Sequence, residues 1–183
     1  AVVWMMGAHP IKCGLTPLIG EMIRRGWITT ISFNGAVAIH DYEMANFGET
    51  SEDVEKGLAD GTFGMVRETA RGIYGALKKY DGPKNGFGHA VGEAIGRTRR
   101  ANNEFSLLAT AFEANCPATV HVALGTDIIH QQPGTDGALI GQSSMQDFRI
   151  LAGQLPNLGE GGVVVNLGSA VILPEVFLKA LTV

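Results

Sequence analysis

Apolar residues recur along this chain in two rhythms. Ala1-Val-Val-Trp-Met-Met6 is an unbroken apolar run ending at Gly7, the pattern of a strand buried on both faces. Beyond it, Leu15, Leu18, Ile19, Met22 and Ile23 fall on one helical face between Leu15 and Arg25, and Gly26 supplies a stop. A second apolar run, Trp27 to Phe33, follows at once. Strand, helix and strand within about thirty residues make a βαβ unit, whose parallel strands lie between helix layers.

The middle of the chain reads as helical. Thr50-Ser-Glu-Asp53 has the form of a capping box with Asp in place of Glu, Thr62 is placed to cap a helix running through Lys79, and Phe105 to Ala114 is apolar at helical spacing. Asp81 to Gly88, rich in Gly, Pro and Asn, reads as a flexible connection. The βα rhythm then resumes: strand Ala118 to Leu124, loop Gly125 to Gly141, helix Ser143 to Leu155, strand Gly162 to Val165, helix Pro174 to Thr182. The expectation is one α/β domain over residues 1–183, a three-layer parallel sheet with an extra helical segment after the second strand. Because the chain opens inside a strand and stops in a helix without a C-cap signal, it reads as a piece of something longer.

Composition narrows the partners. With 45% apolar and 17% charged residues among 183, the chain is no disordered segment. A net charge of −4 without basic runs argues against nucleic acid, which requires clustered Lys and Arg. No leader opens the sequence, no apolar run approaches the ~20 residues of a membrane helix, and two cysteines make no disulfide framework. The expectation is a soluble, cytoplasmic protein without a membrane partner. Its 25 glycines follow no repeat, so each must serve a turn or a close backbone approach.

In open parallel sheets, ligands bind beyond the carboxyl ends of the strands. The loops there start at Gly7, Asn34, Gly125 and Asn166, and His9, His40, His121 and His130 lie in or beside them, with Asp41, Glu43, Asp127 and Asp136. A bare backbone at Gly7, Gly35 and Gly168 suits an anionic phosphate. The usual dinucleotide fingerprint is missing, since Val91 stands where Gly86-Phe-Gly88 would need its third glycine, and no P-loop or Gly-x-Ser-x-Gly elbow occurs. His40 or His130 suits a general base, with Asp41 adjoining His40. Two alternatives stand beside a cofactor enzyme: a metal-dependent hydrolase built from His121, Asp127 and His130, and a catalytically silent binding module. The apolar helices around Gly64 to Leu77 and Phe105 to Phe112 are either core or a subunit interface.

Three segments resemble deoxyhypusine synthase and its bacterial and archaeal relatives: Ala118 to Gly137 with Thr135-Asp-Gly-Ala138, the turn Ile31-Ser-Phe-Asn-Gly-Ala36, and Gly161-Gly-Val-Val-Val-Asn-Leu-Gly-Ser169. The resemblance implies a Rossmann-like parallel sheet, NAD as cofactor, a homo-oligomer (dimer or tetramer), and redox or aminobutyl-transfer chemistry on a small amine or amino acid. Carried over, it puts Gly7, Ala8, His9, Asn34, Gly35, Ala36, Asp136, Gly168 and Ser169 around NAD, and Asp41, Glu43 and Asp136 near a polyamine's ammonium groups. In the family the last glycine turn is followed by a basic residue and histidines that help hold the polyamine, where this sequence has Val171-Ile-Leu-Pro174, and the family's catalytic lysine falls in a segment beyond Val183. Nucleotide binding is therefore the property expected to persist.

Overall fold

The computed structural model describes residues 1–50, 54–64, 66–98, 100–159 and 161–183. In chain order the elements are β1 (Val2–Met6), α1 (His9–Lys12), α2 (Thr16–Arg24), β2 (Thr30–Asn34), α3 (Gly35–Phe47), α4 (Val54–Asp60) and α5 (Arg67–Lys79). There follow α6 (Gly82–Asn85), α7 (Phe87–Gly96), α8 (Leu107–Glu113), β3 (Ala118–His121), α9 (Gly137–Gln154), β4 (Val163–Leu167) and α10 (Ile172–Ala180). All strands pair in parallel, in the order β3-β2-β1-β4. This is the expected parallel sheet between helix layers, with α4 to α8 as the extra segment after the second strand.

The alternation of each strand divides two cores. Met6 from β1, Ile31 and Phe33 from β2, and Val120 from β3 face a large core with Ile19 and Ile23 of α2, Val37 of α3, and Leu107 and Leu108 of α8. On the opposite face Val3 and Met5 meet Leu151 and Leu155 at the end of α9 and Leu173 of α10. Phe33 is fully buried, which on its own stabilises by about 2–3 kcal/mol. Strands β2 and β3 are shielded on both faces, whereas β4 lies at the edge with Val163 and Leu167 exposed.

Several boundaries differ from expectation. Trp27 lies outside β2, because the amides of Trp27 and Ile28 donate back to the carbonyl of Met22 and close α2; ladder pairing begins near Thr30. Helix α5 starts at Arg67, since Gly61 and Gly64 take positive φ and break the chain after Thr62. Strand β3 stops at His121, where the next amide, Val122, donates to Ser144 Oγ of α9 instead of a strand neighbour. Helix α9 begins at Gly137, well before Ser143, because Asp136 caps it by accepting from the Leu139 amide at 3.0 Å. The segment expected as a flexible link holds α6 and the start of α7. Residues 51–53 of the expected capping box lie outside the described residues. Ile73, Leu77, Leu107 and Leu108 are buried within the chain, so the α5 and α8 faces that carry them are core.

Candidate functional site

The strand order reverses between β1 and β4: from β1 the chain steps outward to β2 and β3, then returns to the other side of β1. At such a switch point the loops beyond the two strands part and leave a crevice. Here those loops are Gly7 to His9, which enters α1, and Gly168 to Val171, which enters α10. The Gly7 amide donates to the Leu167 carbonyl at 2.9 Å, and the Gly168 carbonyl fills the space that a β-carbon on Gly7 would need. Gly168 itself is exposed, has φ +75°, and has open space where its own β-carbon would stand, with Pro10 Cδ nearest at 4.0 Å. Ser169 is turned inward, its Oγ accepting from the Leu173 amide in the first turn of α10 at 3.2 Å. Ala8 and exposed His9 follow Gly7 on the loop beyond β1.

The third glycine serves another partner. Asn34 caps α3, its Oδ1 accepting from the Val37 amide at 3.2 Å. The carboxylate of Asp127 lies against Gly35 at the same helix end, where a β-carbon would collide with it. An anion from the chain itself thus takes the place at the positive end of α3 that a phosphate would use. Burial raises the Asp127 carboxyl to about 6.

Beside this helix end is a cavity of about 160 Å³ lined by Lys12, Ala36, Ile39, His40, Phe63, Thr126, Asp127 and Ile128. It brings together His40, Ala36 and Asp127 from the sequence-predicted set and adds Thr126, the neighbour of Asp127, with Lys12 and Phe63 from distant parts of the chain. His40 Nδ1 is buried, without a hydrogen bond, 3.6 Å from the fully buried Glu43 carboxylate, which accepts from Thr69 Oγ1 at 3.0 Å. His130 is behind the same loop: its Nδ1 accepts from the Gly125 and Asp127 amides at 3.1 and 3.2 Å, so the ring proton resides on Nε2, and burial lowers its pKa.

Asp41 does not join His40. It is fully buried and turned to α8, where Ser106 Oγ and the Leu107 and Leu108 amides donate to its two oxygens at 2.5, 2.6 and 3.2 Å. Desolvation nevertheless raises it to about 6. Asp41 and Glu43 are thus interior groups out of reach of a polyamine in solution, a correction to the sequence reading whose cause is that α3 is covered on opposite sides, Asp41 against α8 and Glu43 against Thr69 of α5. Asp136 is occupied as the cap of α9. His121 is buried in β3, its Nε2 sharing a hydrogen bond with Thr119 Oγ1 at 3.0 Å, and Thr119 continues to Ser32 Oγ at 2.8 Å. Among the described residues no three His, Cys, Asp or Glu side chains gather as a metal-holding group, His121, Asp127 and His130 included. Asp147, which sequence reading passed over, is fully buried on α9 and accepts from the Val120 and Gly88 amides at 2.6 and 2.9 Å, tying β3 to the first turn of α7. Its signal was an acidic residue amid the apolar positions of a helix. No helix among the described residues is long and apolar enough to cross a membrane.

No family model and no curated protein sequence matches this chain. Solved structures do. A chain described as a deoxyhypusine synthase from Entamoeba histolytica superposes with a TM-score of 0.57 at 13% identity, over 93% of this chain and 58% of its own. One described as a conserved LOR/SDH protein from Methanococcus maripaludis S2 gives 0.55 at 16% identity, over 92% and 44%. The likeness is one of fold, and this chain spans about half the length of these structures.

Proposed function

We propose that this chain is the nucleotide-binding domain of a deoxyhypusine-synthase-like protein, taking NAD at the crevice between β1 and β4 and acting on a small amine or amino acid beside it. The observation that carries the reading is the switch point itself: two loops from adjacent parallel strands, one ending in an exposed glycine whose missing β-carbon leaves room for a ligand's backbone-close approach. Ala8, His9, Gly168 and the outward rim of the Ser169 turn would border the cofactor. Asn34, Gly35 and Ala36 would lie at its far end, with Asp127 keeping phosphate away from α3 and so orienting the dinucleotide. When bound, NAD supplies the hydride acceptor.

The chain's own residues would handle charge and protons. Lys12 and Asp127, of opposite charge on one small cavity, suit the carboxylate and ammonium of an amino acid. His40 lines that cavity with Glu43 behind it, an arrangement in which a carboxylate steadies an imidazole that takes up a proton. His130, its Nδ1 accepting two amides, holds the loop that carries Asp127, and its Nε2 is buried without a hydrogen-bond partner among the described residues.

Calorimetric titration of the protein with NAD tests the reading. The expected result is saturable binding that weakens at least about tenfold in Ala170→Asp, which puts a like charge on the exposed lip beside Gly168. No heat and no thermal shift at millimolar NAD would overturn it.

A further inference from the structure

A second and larger cavity, of about 520 Å³, lies between α5 and the loop after β3, lined among others by Arg67, Arg71, Tyr74, Lys78, Gln132 and Pro133. None of the residues assigned above to NAD borders it. At 100° per residue, positions 67, 71, 74 and 78 fall in one sector of the helix, so three cations stand in a column about 16 Å long. Among the described residues the cavity wall carries no carboxylate.

Other cations of this chain behave differently. Arg25, Arg97 and Lys179 each pair with a glutamate four residues earlier. Among the described residues Arg67, Arg71 and Lys78 make no ion pair, although Glu68 stands three positions before Arg71. Like charges one turn apart repel, and Arg67 in the first turn opposes the helix dipole. Repulsion among these exposed cations is partly screened by solvent, and an anion in the cavity would relieve it further. The rest of the wall is held in place: the Tyr74 hydroxyl donates to the Ile129 carbonyl at 2.8 Å, and Gln132 Nε2 donates to the Gly64 carbonyl at 2.9 Å.

The geometry points to a binding site in this cavity for a small, multiply charged oxyanion. One anionic group is forked by the guanidinium planes of Arg67 and Arg71, which suit bidentate oxygen pairs, and a second reaches Lys78. Because Lys78 lies about 10 Å along the axis from Arg71, an extended ligand is favoured over a single phosphate. The whole chain carries −4, so the attraction is confined to this cavity and does not extend to a polymer.

Calorimetry of the whole protein with phosphate, pyrophosphate, tripolyphosphate and citrate, in roughly 0.1 M salt so that surface charges are screened beyond ~10 Å, tests this. Tripolyphosphate is expected to bind at least about tenfold more tightly than phosphate, and the double variant Arg67→Gln/Arg71→Gln to lose about tenfold or more of that affinity. Both side chains are exposed, so circular dichroism should match the parent. Citrate binding as tightly as tripolyphosphate would support the site with carboxylates as its natural groups. Absence of binding by any of the four at millimolar concentration, or equal binding by the double variant, would overturn the proposal. So would competition between NAD and tripolyphosphate, which would make the cavity part of the nucleotide site. The NAD reading fails separately, through Ala170→Asp and the NAD titration.

Discussion

The carbonyl of Gly168 occupies the volume that a β-carbon on Gly7 would fill. This contact joins the ends of β1 and β4, the two strands between which the chain reverses direction across the sheet. It also reassigns a glycine: the bare backbone at Gly7 serves the chain's own packing, while the one at Gly168 has open space beside it. Gly7→Ala forces apart two backbone segments and is expected to cost about 3 kcal/mol, the upper range for overpacking. Gly168→Ala meets no clash but holds a β-carbon at φ +75°, for about 1 kcal/mol. Urea unfolding of both variants checks the ordering; equal costs would mean that the Gly7 contact is not tight.

Asp41 and Ser106 together close the first turn of α8. Ser106 Oγ accepts from the Ala109 amide at 2.9 Å while donating to Asp41. Ser106→Ala removes both bonds and is expected to cost about 2 kcal/mol. Asp41→Asn gives a different signature. Burial raises the folded-state carboxyl from its ordinary value of 3.8 to about 6, so the folded protein holds a proton that the unfolded chain releases. Stability from this group is present below pH ~4 and is lost as pH rises through ~6, a change of order 3 kcal/mol. The difference in unfolding free energy between wild type and Asp41→Asn should therefore fall across that window. A constant difference from pH 4 to pH 7 would show that Asp41 titrates normally.

How much of this was legible in sequence depends on the range of the contact that decides it. The run Ala1 to Met6 announces β1, because burial on both faces leaves no polar position to confuse the period. Thr62 has the form of a cap and so puts the start of α5 too early, although Gly61 and Gly64 beside it carry the positive φ that interrupts regular structure. The strand order and the end of β3 at His121 are tertiary facts: Ser144, on a later helix, takes the Val122 amide. For the site, the loops at the carboxyl edge were visible. What is not visible is which glycine packs against the protein and which has open space beside it, since Asp127 against Gly35 and Gly168 against Gly7 are contacts between distant segments. The helical period of α3 did distinguish His40 from Asp41, and adjacency in sequence obscured it.

His40 lines the small cavity with Nδ1 unbonded and Glu43 3.6 Å away. If it accepts the substrate's proton, His40→Gln should leave the NAD dissociation constant within about twofold and lower the rate of NAD reduction by about 10²-fold or more, the range for a lost general base. Stopped-flow absorbance with candidate amino acids and amines measures both. A variant with unchanged rate and weakened substrate binding would move His40 from proton transfer to binding.

His121 provides the opposite pH signature to Asp41. The imidazole is buried beside Thr119 and Ser32, and desolvation lowers its pKa from 6.5 to about 4. The folded protein keeps the ring neutral at pH values where the unfolded chain protonates it. Its contribution is present above pH ~6.5 and is lost as pH falls toward ~4, again of order 3 kcal/mol. In wild type this loss runs against the gain from Asp41, so the net curve between pH 4 and 6 is shallow and single variants are needed to separate the two. His121→Gln keeps a polar group for Thr119 and removes the titration. The variant should therefore be less stable than wild type at pH 7, through repacking, and should close that gap as pH falls to about 4.5. If the gap stays constant under chemical denaturation at both pH values, His121 is solvated in a way that its position beneath α9 does not suggest.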